Sequence, residues 1–331
     1  MDSLTQIVLG TAVGEAVLGK KVGNKAMLYG AIAGTIPDFD TFASHFTDTV
    51  TALEIHRGFT HSIVFSVVFA FIFGWLVSRW EKTANWKNWS WLFFWGFITH
   101  PLLDAHTTWG TQLFWPLDLR LAYKNIFVID PLYTIPFLVF VILAMRKKRT
   151  SPKRRKLNNL GLIISSAYML LTLTLKGITY QKFTEALQQQ NIQYSEIETK
   201  PSPFNTILWT ANVDTKDAYL IGHYSFFDAK PIQFTAYPKN HEWLENLKEE
   251  ENVQRLIKIT KGWYTITKEN EKLYLNDLRF GLLGFSPSAK NFTFSFQLER
   301  KNGEVIITER ERNTQEAKKL LGELWKRILG N

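Results

Sequence analysis

Residues 62–78 (SIVFSVVFAFIFGWLVS) run without a charge, directly after His61. A stretch of that character is buried in a core or crosses a bilayer, whose hydrocarbon takes about 17–25 apolar residues to span. Further apolar runs occupy 4–18, 26–36, 89–105, 126–145 and 160–176. They predict an α-helical polytopic membrane bundle of about six transmembrane helices over residues 1–176. The mean hydropathy of −0.11 conceals this, because the remaining residues are polar enough to cancel it.

Charge sets the orientation. Residues 1–176 carry 18 Lys+Arg against 10 Asp+Glu, whereas residues 177–331 carry 21 against 20. The basic groups of the first half cluster at Lys20/Lys21/Lys25, at Arg79/Lys82/Lys87 and from Arg146 to Lys156. The last run resembles a nucleic-acid patch, but apolar spans flank every cluster. The positive-inside rule therefore places all three in the cytoplasm, with no nucleic acid as partner. A cytoplasmic (inner) membrane, multi-pass protein follows. Segment 26–36 then runs outward, 62–78 inward, 89–105 outward, 126–145 inward and 160–176 outward. Asp38, Asp40, His56, His61, His100, Asp104 and His106 all fall at external ends.

Smaller features refine the bundle. Gly10/Gly14, Ala12/Ala16 and Gly30/Gly34 are spaced four apart, which suits a tightly packed hairpin of the two short first segments. Trp86, Trp89, Trp91 and Trp95 read as an interfacial belt. Pro131 and Pro136 predict a bend in 126–145. The chain has no cysteine, which excludes a disulfide framework, a thiolate metal site and a cysteine nucleophile. The start lacks a basic region and Glu15 interrupts its apolar run, so a cleaved signal peptide is not expected.

From Gly177 the pattern changes to alternation. Phe204–Val213, Ala218–Phe227, Gly262–Lys268, Leu273–Phe280 and Phe292–Glu299 read as strands. Glu242–Ile259 and Gln315–Leu329 read as helices. Residues 177–331 are thus predicted to form a soluble α+β domain, extracytoplasmic by the same charge argument. No internal repeat or low-complexity tract is visible.

Imidazoles and carboxylates beside apolar helices are costly unless paired, and a metal ion is the commonest reason for them. His100 and Asp104 share a helix face at a spacing of four; the plainer reading is a pair holding two helices together. His56 and His61 bracket Arg57-Gly58-Phe59-Thr60, a loop turning into the next helix, with Thr60 or Ser62 as its cap. Asp38 and Asp40, in Pro37-Asp38-Phe39-Asp40, offer oxygen ligands or a bridge, although Asp after Pro also starts turns. Glu54 reads equally well as a general base, a partner for an imidazole N–H, or an exposed loop residue. Arg57 is the candidate for binding phosphate or developing negative charge. Asp130 either orients a ligand histidine or caps a helix. Gln6 and Glu15 are open to more than one reading, one for Glu15 being a partner of Lys20 or Lys21 at the inner interface. His45, His223 and His241 read as ordinary loop or surface residues.

Taken together, Pro37-Asp38-Phe39-Asp40, His56-Arg57-Gly58-Phe59-Thr60-His61-Ser62 and Thr99-His100-Pro101-Leu102-Leu103-Asp104 resemble the YdjM-like family of membrane-bound metal-dependent hydrolases. The resemblance covers roughly the first half of the chain. It implies a polytopic membrane protein in which Asp38, Asp40, His56, His61, His100 and Asp104 bind metal for hydrolysis of an ester-type bond. Members often carry a Thr-His pair near the N-terminus; here Thr5-Gln6 stands there, an amide in place of one possible ligand.

The expectation is therefore a membrane-embedded hydrolase with one or two divalent ions, zinc before manganese or iron. Glu54 and Arg57 would be its catalytic side groups. Membrane lipid would be its surroundings and a lipid phosphoester its candidate substrate. The alternative is a metal-binding transporter or sensor without hydrolytic chemistry. A membrane anchor for a binding domain comes third, since it leaves the clustered histidines unexplained.

Overall fold

The computed structural model describes residues 1–331 except 286–288, 290, 302 and 312–316. A helical N-terminal region precedes a sheet-containing C-terminal one. Two compact units emerge: Met1–Ala43, Ile55–Thr174 and Pro203–Asn205 form the first; Ser44–Glu54, Leu175–Ser202 and Thr206–Asn331 form the second.

In the first unit, α1 (Ser3–Val22) and α2 (Asn24–Thr35) form a hairpin that turns at Gly23, whose φ of 65° suits glycine. Asp2 caps α1 through the Thr5 N–H. The hairpin is packed backbone to backbone: a Cβ on Gly14 would meet the Ala26 carbonyl oxygen at 2.1 Å, and one on Gly10 the Gly30 carbonyl oxygen at 2.2 Å. A 3₁₀ helix (Ile36–His45) follows and, after α3 (Thr49–Ile55), whose residues up to Glu54 belong to the second unit, a single 3₁₀ turn (Phe59–His61). Ser62 caps α4 (Ile63–Trp80) by accepting from the Phe65 N–H at 3.0 Å. Asn85 caps α5 (Trp86–Asp104) in the same way, and α6 (Pro131–Met145) and α7 (Pro152–Gln189) complete the set.

Among the described residues, two helices, α4 and α7, are long and apolar enough to cross a membrane; α6 is apolar but has 15 residues. Length and apolarity thus do not confirm the six crossings expected. At 1.5 Å per residue the 12 residues of α2 are too short for a bilayer core of about 30 Å. The expected helix 126–145 starts only at Pro131. That proline occupies the first helical turn, where its missing N–H costs nothing, so it introduces no bend.

Two apolar cores hold this unit. Val8, Ala12, Met27, Ile126, Phe137 and Val141 form one; Leu18, Ala33, Phe65, Trp89, Phe93 and Phe97 belong to the other. Trp86, Trp91 and Trp95 are exposed, as a belt requires, but Trp89 is fully buried, edge-on to Tyr29 at 5.0 Å. Arg154 also departs from expectation. It is buried and grips Glu15 through Nε and Nη2, while its Nη1 donates to Asn24 Oδ1 at 2.6 Å. The three basic clusters meet nearby: Lys25 pairs with Glu81 at 2.7 Å, Lys21 donates to Asn88, and Arg149 donates to the Lys21 carbonyl at 3.0 Å.

The second unit contains two four-stranded antiparallel meanders. The first runs β1 (Glu196–Pro201), β2 (Leu208–Asp214), β3 (Ala218–Ser225), β4 (Phe234–Pro238). The second runs β5 (Tyr264–Glu269), β6 (Lys272–Asp277), β7 (Ser295–Lys301), β8 (Glu304–Glu309). A helix precedes and covers each. The C-terminal part of α7 lays Phe183, Ala186 and Leu187 on Trp209, Ala211 and Val213. Val253 and Leu256 of α8 (Glu251–Ile259) pack on Ile266, Leu275 and Phe296. The helix-then-meander order occurs twice, although the sequence shows no repeat. The expected helix 242–259 breaks into a 3₁₀ stretch (His241–Glu249) and α8, with non-helical backbone at Glu245 (φ 43°). The terminal helix α9 is Ala317–Ile328, and the expected start at Gln315 lies outside the described residues.

Candidate metal centre

Four side chains from three parts of the first unit converge. Asp38 comes from the 3₁₀ helix that continues α2, and His61 ends the turn before α4. His100 and Asp104 stand one helical turn apart at the end of α5. Their ligand atoms all lie within 4.8 Å of one another. His61 Nε2 is 3.1 Å from His100 Nε2, and each of these nitrogens is 3.4 Å from Asp38 Oδ1. Asp104 Oδ2 is 3.4 Å from His61 Nε2 and 3.6 Å from His100 Nε2. Four donors arranged tetrahedrally at metal-ligand distances of about 2.0–2.2 Å are about 3.3–3.6 Å apart. The five spacings just given, 3.1–3.6 Å, lie near that figure.

The hydrogen bonds behind the rings set which nitrogen is bare. His100 Nδ1 lies 2.7 Å from the Gly34 carbonyl oxygen, which can only accept, so the neutral ring carries its proton on Nδ1 and turns the Nε2 lone pair toward the cluster. His61 Nδ1 lies 3.0 Å from Thr60 Oγ1 and 3.4 Å from Asp40 Oδ2, and the Thr60 hydroxyl donates to that same Asp40 oxygen at 3.2 Å. Its bare nitrogen is therefore also Nε2. Asp104 Oδ2 is buried without a hydrogen-bond partner: Arg57 Nε is 2.9 Å away, but its N–H is not aimed at the oxygen. Bare imidazole nitrogens and an orphaned carboxylate oxygen converging on one point suit a divalent cation.

Asp40 and His56 stand outside these four. Asp40 accepts from the Arg57 N–H at 2.6 Å and pairs with His56 Nδ1 at 3.1 Å, so it braces the rear of His61. Burial works against ionisation of Asp38, but hydrogen bonds with His100 and His61 prevail and hold it far below the usual carboxylate range. Asp40 is likewise lowered despite burial, by its hydrogen bond with His56 and the neighbouring charges. Burial lowers His56, with the Arg57 charge reinforcing it against the pull of Asp40. At neutral pH both acids are ionised and His56 is neutral.

Arg57 is buried, with φ at 58°, an unusual backbone for a non-glycine residue. Its Nη1 donates to Thr107 Oγ1 at 2.8 Å. Gln6 Nε2 donates to Asp104 Oδ1 at 2.9 Å, so the amide orients a carboxylate. The Met1 nitrogen contacts the same oxygen. The Glu54 carboxylate is held by Arg255 at 2.6 Å. Asp130 caps α6 through the Leu132 and Tyr133 N–H groups and accepts from the Tyr168 hydroxyl at 3.0 Å. His106 bonds Asn125 at 2.9 Å, apart from the four. Thr60 and Thr107 went unread as site residues, although Thr60 lies within the H-R-G-F-T-H stretch and Thr107 three residues beyond Asp104.

No solved structure matches the chain. The inner membrane protein YbcI of Escherichia coli (strain K12) is 28% identical over 112 residues. That match covers 34% of this chain and 64% of YbcI, less than two thirds of its length. The family described as YdjM inner membrane protein matches residues 1–179, which include all four converging side chains and most of the helical unit. With more than half of its length accounted for in this way, the chain belongs to the YdjM family of inner membrane proteins.

Proposed function

We propose that the chain is a membrane-embedded, metal-dependent hydrolase acting on an amphiphilic substrate, a lipid phosphoester by preference, at the outer face of the cytoplasmic membrane. The observation that carries this is the convergence of Asp38, His61, His100 and Asp104, whose ligand atoms all lie within 4.8 Å of one another. Two nitrogen and two oxygen donors suit zinc best, with manganese or iron as alternatives. A divalent ion there would supply Lewis acidity and an activated water near neutral pH.

The protein's own groups do the rest. Asp40 and Thr60 fix the His61 ring, and the Gly34 carbonyl fixes His100. Arg57 brings a guanidinium beside Asp104, where it can meet a phosphoryl oxygen. Asp38 is the most open of the four: its side chain is 21% exposed, while the other three show none. Substrate would approach on that side. Phe39 and Phe42, 54% and 59% exposed, offer it an apolar rim there. The gathering of the basic clusters supports a cytoplasmic end opposite the site, with residues 177–331 extracytoplasmic.

The second reading is a metal-binding transporter or sensor. It is favoured by the completeness of the donor set, because four protein ligands close a tetrahedral site whereas catalytic zinc usually keeps one position open. In the hydrolase, Asp38 would have to make room. Release of product from a lipid phosphoester panel by protein in vesicles, with and without chelator, separates the readings. Chelator-sensitive turnover supports the hydrolase; bound zinc without turnover on any ester supports the other.

A further inference from the structure

Between Asp40 and His56 the chain makes a loop closed at its neck by the 3.1 Å contact of those two side chains. The tip, Ser44–Glu54, folds as part of the second unit. Asp48 caps α3 there by accepting from the Val50 and Thr51 N–H groups. Val50 is buried in the apolar cluster that includes Leu244, Val253 and Leu256. Arg255 of α8 then grips the tip with its planar fork: Nε reaches Glu54 Oε1 at 3.1 Å, Nη2 reaches Glu54 Oε2 at 2.6 Å, and Nη2 also donates to Thr51 Oγ1 at 2.9 Å. Asn252 Oδ1 accepts from Nη1 at 3.0 Å and fixes the guanidinium from its own helix.

Both arms leaving this tip carry site residues. Asp38 and Asp40 lie on the incoming arm, His56, Arg57 and His61 on the outgoing one. An unrestrained loop samples many end-to-end separations, and holding its ends together costs entropy that grows with the length left free. Fixing the tip removes most of that freedom. Glu54 stands two residues before His56 in the chain.

We propose that Arg255 is a positioning residue for the four-donor centre, acting through Glu54 and Thr51 to hold the Asp38 and His61 arms at ligand spacing. This rests on the metal reading above and adds a role for the second unit that the reading does not require. A fork-to-carboxylate grip is specific to arginine, so lysine does not replace it.

The test is zinc affinity of the purified full-length protein, measured by competition with a chromophoric chelator, together with the visible spectrum of the cobalt-loaded form. Wild type, Arg255→Ala, Arg255→Lys and the exchange Glu54→Arg/Arg255→Glu are compared. Arg310→Ala, which removes an exposed pair with Glu269 in the same unit, is the control. The expectation is about tenfold weaker zinc binding in Arg255→Ala and Arg255→Lys, the lower end of what removing an outer support of a metal ligand costs. Stoichiometry at saturation is unchanged, the cobalt bands shift, the exchange variant recovers and Arg310→Ala matches wild type. Zinc affinity and cobalt spectrum both unaltered in Arg255→Ala overturn the proposal, as does a loss matched by Arg310→Ala. Should Arg255→Ala not fold, Arg255→Lys decides alone. Wild-type protein that takes up neither metal overturns the metal reading itself, a result seen before any variant is compared.

Discussion

Nε2 of His61 and Nε2 of His100 face one another at 3.1 Å, each 3.4 Å from Asp38 Oδ1. Each ring's proton is committed behind it, toward Asp40 and Thr60 in one case and Gly34 in the other. In the neutral rings the two Nε2 lone pairs face one another and repel unless a proton or a metal cation lies between them. A ligand that binds only the folded state raises stability by about 2.7 kcal/mol at a hundredfold excess over its dissociation constant. Zinc is therefore expected to raise the unfolding midpoint of wild type and to leave that of His61→Ala/His100→Ala unmoved, as differential scanning fluorimetry in detergent would read.

Asp40 separates a ligand from its support. Its carboxylate touches His56, the Arg57 N–H and the rear of His61, and not the donor cluster. Asp40→Asn keeps the shape and removes the charge that holds the His61 tautomer. The expected outcome is zinc affinity lowered about 10–100-fold at unchanged stoichiometry, against loss of the site in Asp104→Asn. Chelator competition distinguishes the two. If Asp40→Asn empties the site as Asp104→Asn does, Asp40 is itself a ligand.

The sequence made the ingredients visible more readily than their roles. His100 and Asp104 were legible because helical spacing alone puts them on one face. Asp38 and Asp40 were not separable, since both follow Pro37 within one turn and only the 3₁₀ geometry aims one at the cluster and the other behind it. Trp89 looked like its neighbours 86, 91 and 95 because composition cannot tell which face of α5 meets Tyr29. In the second unit the strands that went unread are β1, β4 and β8, all at sheet edges. β1 and β4 end in prolines and β1 and β8 carry glutamates, the devices that blunt an edge and erase its alternation. Arg154 was hidden by its company: seven basic neighbours between Arg146 and Lys156 read as a solvated run, and only folding selects the one that turns inward.

That inward turn has a measurable cost. Glu15 and Arg154 are both buried, and Asn24, the Lys147 carbonyl and Met27 Sδ surround the guanidinium. Removing one member of a buried pair strands the other charge, typically at about 3–5 kcal/mol. Glu15→Gln and Arg154→Met are each expected to destabilise the helical unit by that order. Glu15→Gln/Arg154→Met is expected to lose less than the two losses added. Chemical unfolding in mixed micelles, analysed as a double-mutant cycle, reads the coupling; strict additivity would mean the pair is not formed.

The second unit has its own pH dependence, centred on His223. This ring, half-buried on β3, lies 3.1 Å from Thr210 Oγ1 and edge-on to Phe285 at 5.2 Å. Burial, with Arg327 and Lys200 nearby, pushes it down to about 3. An unfolded histidine titrates near 6.5, so between about pH 6.5 and 3 the unfolded chain binds a proton that the folded one refuses. Stability from this group is therefore complete above pH 6.5 and lost as pH falls, by at most about 1.4 kcal/mol per pH unit. His223→Asn keeps a polar group beside Thr210 but cannot titrate. Hydrogen exchange of the β2 and β3 amides in the full chain should show opening free energies that fall with acidification in wild type and flatten in the variant. Equal slopes in the two proteins would mean that another group, not His223, carries the acid sensitivity of this sheet.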